Sequence, residues 1–143
     1  MLINNMTSQY AEAVIEMMRD FYSSPAVLTN GSEEIFRSDV ENCINNSPYL
    51  EGYVFIEDDI VIGYAMTAKS FSTEFGKPCI WIEDLYLKPE HCGKGLGSCF
   101  LRFIEQKHPN SVLRLEVEKE NERAVRTYRK NGFEILPYME MIK

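Results

Sequence analysis

Cys79-Ile80-Trp81-Ile82-Glu83-Asp84-Leu85-Tyr86-Leu87 is a near-continuous apolar run carrying two adjacent carboxylates, and Lys88-Pro89-Glu90-His91-Cys92-Gly93-Lys94-Gly95-Leu96-Gly97-Ser98 follows it. The first stretch reads as a strand and the second as a turn opening a helix. Strand alternation assigns Trp81, Glu83, Leu85 and Leu87 to one face and Ile80, Ile82, Asp84 and Tyr86 to the other. A carboxylate inside such a run is costly to bury, so Glu83 either lines a cleft or pairs with a cationic side chain. Leu96, Cys99, Phe100, Phe103, Ile104 and Lys107 form a stripe at helical spacing. Glycines before that helix let backbone approach a ligand, and the helix start offers unpaired N–H groups to an anion such as a pyrophosphate. A Walker loop needs GxxxxGK[ST], and Gly95 after Gly93-Lys94 breaks that spacing. A dinucleotide fingerprint needs a third glycine where Ser98 stands. An anion-binding turn of another class, or a ligand-free glycine turn, remains.

Working outward, Val14, Met17, Met18, Phe21 and Tyr22 predict a helix over residues 8–22, ended near Pro25. Phe36, Val40, Cys43 and Ile44 predict a second over 33–46. Gly52–Ile56 and Ile60–Ala68, joined by Glu57-Asp58-Asp59, predict an antiparallel hairpin, with a polar loop over 70–78. Downstream, Val112–Val117 alternates as a strand, Asn121 caps a helix to Lys130, Asn131-Gly132 stops it, and Phe133–Ile142 reads as a last strand interrupted by Pro137. This order predicts a mixed α/β sheet with helices on its faces.

At 143 residues the chain has the size of a single domain, 1–143. It has no apolar run long enough for a membrane helix and no signal-peptide start. Cys43, Cys79, Cys92 and Cys99 lack CxxC spacing and read as free thiols of a cytoplasmic protein; His91 and His108 lack ligand-spaced partners, which argues against a metal site. A net charge of -7 disfavours nucleic acid. Residues 1–78 hold 12 acidic against 4 basic residues, net -8, while 79–143 hold 10 against 11, net +1. The acidic half suits a cationic partner or is simply a solvated surface.

Pro89-Glu90-His91-Cys92-Gly93-Lys94-Gly95-Leu96-Gly97 resembles the acyl-CoA pyrophosphate loop of the GNAT superfamily of N-acetyltransferases, Arg/Gln-x-x-Gly-x-Gly/Ala. Asn121-Glu122-Arg123-Ala124-Val125-Arg126-Thr127-Tyr128, followed by Gly132-Phe133, resembles that family's C-terminal helix motif, Asn-x-x-Ala-x-x-x-Tyr. The two blocks stand in the family's order. The resemblance implies a central, mostly antiparallel sheet with helices on both faces, and acetyl-CoA as co-substrate without a metal. It implies that Gly93, Lys94, Gly95, Leu96, Gly97 and Ser98 wrap the pyrophosphate, with Cys92 departing from the usual Arg or Gln and binding somewhat weakened. Backbone groups of Leu85, Tyr86 and Leu87 would meet the pantetheine arm. Asn121, Arg123, Ala124 and Lys130 would complete the cofactor side, with Arg126 on the same basic face.

The same resemblance implies direct attack of a primary amine on the thioester in a ternary complex, with Glu83 as base and Tyr128 as acid. Phe75 to Tyr86 is similar to the diamine and polyamine acetyltransferase branch, which makes Asp84 and Trp81 candidate contacts to a cationic small amine. Glu33, Glu34, Asp39 and Glu41 are candidates for its entry. A protein lysine or N-terminus, or an aminoglycoside, also suits an acidic cleft, and a non-catalytic acyl-CoA-binding module is the competing class. A homodimer without nucleic-acid or membrane partners is the expected assembly.

Overall fold

Two short helices of the N-terminal half turn their apolar faces onto the same sheet. The computed structural model describes residues 1–143. Val14, Ile15, Met17 and Met18 are buried along α1 (Ala11–Tyr22), which follows a 3-10 turn at Ser8–Tyr10. Ser32 opens α2 (Glu33–Ile44) by accepting a hydrogen bond from Ile35 N–H, and Phe36, Val40 and Cys43 face inward. The strands are β1 (Leu2–Asn5), β2 (Leu50–Glu57), β3 (Ile60–Ser72), β4 (Lys77–Leu87) and β5 (Val112–Leu115). They lie in sequence order, antiparallel throughout except for the parallel β4–β5 pair.

Alternation along β2 and β3 feeds two apolar layers. Val54, Ile56, Tyr64 and Met66 pack under α1 and α2. Tyr53, Phe55, Ile62 and Ala65 pack under α3 (Leu96–Lys107), whose Phe100, Leu101 and Ile104 are buried. Helix α4 (Glu122–Lys130) adds Tyr128 to that second layer, with Phe133 just beyond it. The mixed architecture with helices on both faces is therefore as expected.

Four details differ from the expectation. β1 was not anticipated: Leu2-Ile3-Asn4-Asn5 has no apolar period, and its register against Ile56 to Tyr53 makes it a strand. Much of the expected loop 70–78 is ladder, with Phe71 opposite Pro78 and Ser72 opposite Lys77. The expected strand Phe133–Ile142 does not form. Pro137 interrupts it, and Ile135, Tyr138, Met139, Met141 and Ile142 are exposed, so no buried face holds it to the sheet. Finally, the alternation along β4 is broken. Met66 stands opposite Asp84 and the next residue, Thr67, opposite Ile82, so Glu83 is an extra residue, a β-bulge. Ile80 and Ile82 face α3 together with Leu85 and Leu87, whereas Asp84 and Tyr86 face α1.

Glu51 ties β2 and β3 to the end of α3. Its carboxylate meets Lys69 Nζ at 2.7 Å, Lys107 Nζ at 3.2 Å and the Tyr53 hydroxyl at 2.6 Å. Burial pushes its pKa up, but hydrogen bonds from Lys69, Tyr53 and Lys107 outweigh that and hold it at about 2, below the ordinary 4.5. A depressed carboxylate stabilises the fold above its unfolded pKa and loses that contribution as pH falls toward the folded value. Glu51→Gln should therefore cost about 2 kcal/mol near neutral pH. It should also flatten the fall in stability between about pH 4.5 and 2, as read by urea unfolding across pH.

Candidate functional site

The β4–β5 ladder ends at Ile82 opposite Leu115. From Glu83 onward β4 has no strand partner on its outer side, so the sheet opens where the bulge lies. Two hollows flank this opening. One, of about 340 Å³, is lined by Tyr22, Asp39, Tyr49, Met66, Glu83 and Asp84 among others, with three acidic side chains and no basic one. The other is a groove of about 1200 Å³ along β5, lined by Trp81, Leu115, Glu116 and Tyr128 and by residues after α4 such as Glu140. Glu83 lines the first and lies within electrostatic reach of Glu116 and Glu140 of the second.

The two adjacent carboxylates have opposite surroundings. Glu83 is exposed and has no hydrogen-bond or ion-pair partner. The structural pairing with Arg or Lys left open by the sequence is absent. Surrounding protein raises its pKa, and Glu140 and Asp39 add to the shift. Asp84 is 3% exposed. It accepts hydrogen bonds from Tyr22 at 3.0 Å and Tyr64 at 2.8 Å. Burial pushes Asp84 from 3.8 to about 6, with the two phenols pulling downward and Asp39 and Glu83 adding to the rise. Glu116 is raised to about 7, chiefly by its hydrogen bond with Glu140 and then by burial.

The glycine turn stands at the open end of β4. Pro89–His91 is a single 3-10 turn, Gly93 and Gly95 have φ of 77° and 80°, and Gly95 precedes α3 without a side-chain cap. No N–H from Gly93 to Ser98 donates to a backbone carbonyl, so six successive donors are free to bind an anion. Lys94 is exposed beside them. The Cys92 thiol turns back to donate to the carbonyls of Leu87, at 3.5 Å, and Lys88, at 3.6 Å. Ser98 Oγ accepts from Asn131 Nδ2 at 2.8 Å, which fastens the end of α4 to the start of α3.

Asn121 caps α4, its side-chain oxygen accepting from Ala124 N–H at 3.2 Å. Arg123, Arg126 and Lys130 are exposed, and Arg126 pairs with Glu122 at 3.2 Å. Tyr128 packs edge-on to Phe133 with centroids 5.9 Å apart, and burial raises its phenol to about 12. Trp81 lies beneath the Arg114 guanidinium at 4.7 Å and lines the β5 groove, outside the acidic cleft. Of the four acids on α2 that the sequence offered for the entry, only Asp39 lines the cleft; Glu33 pairs with Arg19. Tyr22, Tyr64 and Asn131 escaped the sequence reading. Nothing in their local spacing marks them, since each acts on a partner far along the chain.

A family model described as the Acetyltransferase (GNAT) family matches residues 11–133. The thialysine N-epsilon-acetyltransferase of cattle (Bos taurus) is 36% identical over 83 residues, which cover 56% of this chain and 48% of that relative. The match thus spans about half the relative's length. A possible acetyltransferase from Clostridium difficile 630 superposes with a TM-score of 0.82 at 20% identity, over 99% of this chain and 96% of that one. An aminoglycoside N-acetyltransferase in complex with CoA superposes with a TM-score of 0.77 at 14% identity, over 99% and 93%. These two likenesses concern the fold. No helix is long and apolar enough to cross a membrane.

Proposed function

The chain belongs to the GNAT family of acetyltransferases, and from that premise we propose that it transfers the acetyl group of acetyl-CoA to the primary amine of a small cationic acceptor. The observation that carries the reading is the acidic cleft meeting the open end of β4, a few residues before the free N–H groups of the glycine turn. Those N–H groups and Lys94 bind the CoA diphosphate, with Leu96, Gly97 and Ser98 carrying it onto the helix start. Leu85, Tyr86 and Leu87 present backbone groups to the pantetheine arm. Asn121 and Ala124 hold α4 against it, and Arg123 and Lys130 meet phosphate oxygens.

An ammonium near pKa 10.4 cannot attack, so the acceptor must lose a proton inside the cleft. Glu83 takes it, directly or through water, helped by an upward-shifted pKa that makes it a better base. As the amine nitrogen bonds to the thioester carbon, the C–S bond breaks and the departing thiolate needs a proton. Tyr128 supplies it and is restored by the second proton that the nitrogen sheds as the amide forms, while Glu83 returns its own proton to solvent. Burial keeps the phenol protonated until the C–S bond breaks. Asp84 pairs with a charge remaining on the acceptor, and Trp81 limits the acceptor on the β5 side. The unpaired cysteines suit a reducing compartment such as the cytoplasm.

Thialysine, in the name of the cattle relative, is a small amine with a second charged group, and an aminoglycoside is a larger polycation. Purified protein with acetyl-CoA should release free thiol fastest with thialysine, diamines and spermidine, more slowly with aminoglycosides, and least with neutral amines or peptides. Silence across that panel, with CoA still bound in calorimetry, would convert the reading to a non-catalytic CoA-binding module.

A further inference from the structure

Asp84 is held in an unusual way for a carboxylate that must meet a cation. Its two oxygens are taken by phenols from different elements of one apolar layer, Tyr22 at the end of α1 and Tyr64 within β3. Tyr64 is fully buried. Tyr22 is half-buried, lines the acidic cleft and reaches Asp84 across 62 positions of sequence. Its ring is wedged between Phe21, at 5.3 Å between centroids, and Phe36, at 5.2 Å. The turn into α2 makes that wedge possible. Gly31 has a φ of 63°, and a Cβ there would stand 2.4 Å from the Phe36 ring. The Tyr22 hydroxyl therefore has little freedom of direction.

The groups facing Asp84 are Tyr22 from α1, Asp39 and Cys43 from α2, Tyr64 from β3, and Glu83 and Tyr86 from β4. None is cationic. With Asp39 and Glu83 opposing ionisation, phenol hydrogen bonds are the favourable contacts that Asp84's charge has until a cation arrives.

We propose that Tyr22 is a positioning residue that aims the Asp84 carboxylate into the cleft and keeps it ionised as the anchor for a cationic acceptor. This rests on the function proposed above. The chemistry supports a division of labour between the two adjacent carboxylates. The attacking nitrogen must be neutral, so the carboxylate that takes its proton cannot also be a fixed counter-ion. The bulge at Glu83 separates the two tasks: it leaves Glu83 exposed and unpaired while turning Asp84 inward onto Tyr22.

Losing a hydrogen bond to the charged form raises a carboxyl pKa. The test follows Asp84 directly, by the pH titration of its side-chain 13C resonance in wild type and Tyr22→Phe. The midpoint should lie at about 6 in wild type. It should rise by about one unit in the variant, a tenfold change in the protonation equilibrium. In thiol-release assays with spermidine, KM should climb as pH falls through the same midpoint, about tenfold higher in Tyr22→Phe on that limb, with the loss in KM rather than kcat. Asp84→Asn should abolish the pH step in KM. An unmoved carboxyl midpoint in a folded Tyr22→Phe protein overturns the proposal, as does a KM step that survives Asp84→Asn. Wild type that acetylates no amine would sink the proposed function instead, while the 13C midpoint still decides the role of Tyr22.

Discussion

Glu83→Gln should lower kcat/KM for the amine by about a hundredfold to a thousandfold while leaving acetyl-CoA affinity and melting temperature nearly unchanged. Glutamine keeps the size and polarity of the side chain but cannot take a proton. The native carboxylate has no ion-pair or hydrogen-bond partner to lose, so the fold should tolerate the change. The sign of the pH effect follows from its surroundings. Although its side chain reaches solvent, partial desolvation by the surrounding protein, Glu140 and Asp39 all disfavour its charged form, so its pKa stands above the ordinary 4.5. In the wild type the rate should fall as acid protonates Glu83, and in the variant that limb should vanish. The measurement is kcat/KM across pH with spermidine, beside calorimetry of acetyl-CoA. A loss under about threefold would move the base elsewhere. Glu116, raised to about 7 by its hydrogen bond with Glu140, is then the next carboxylate to replace.

Local sequence carried most of the information about this site. A charged pair inside an apolar run marked β4, and three closely spaced glycines at the head of an amphipathic stripe marked the turn, because each signal is contained within one short stretch. The bulge was invisible for the opposite reason. It is a mismatch of register between β3 and β4, set by how Met66 and Thr67 pair across the sheet. Missing it put Asp84 on the same face as Ile82, when Asp84 in fact turns toward α1. The Tyr22 hydroxyl has the same character, since its partner is 62 positions away. At the C-terminus the error ran the other way. Phe133 to Ile142 has enough apolar residues to read as a strand, but Pro137 removes a ladder donor and the side chains have no layer to pack against. Alternation signals a strand only where a buried face receives it.

Gly95→Ala should weaken acetyl-CoA binding roughly tenfold to a hundredfold, a loss of about 1.4 to 2.8 kcal/mol of binding free energy. Gly95 adopts φ 80°, a left-handed conformation that costs an L residue about 1–2 kcal/mol. An added Cβ there meets nothing within 4 Å, so the variant can fold, and it relieves the strain by turning the loop and its N–H groups away from a shared anion. Gly97 separates strain from crowding. It lacks the left-handed φ, and its added Cβ would make ordinary contacts with Thr127 at 3.9 Å and Leu85 at 4.0 Å. Gly97→Ala is therefore unstrained in the free protein and should weaken binding only if the diphosphate lies against the start of α3. Calorimetry of CoA and of dephosphorylated pantetheine with each variant distinguishes the causes. A shared loss for CoA alone locates the diphosphate at the turn. Unchanged affinity in both variants would mean that the six free N–H groups do not hold it, and the whole orientation of the thioester toward Glu83 would have to be abandoned.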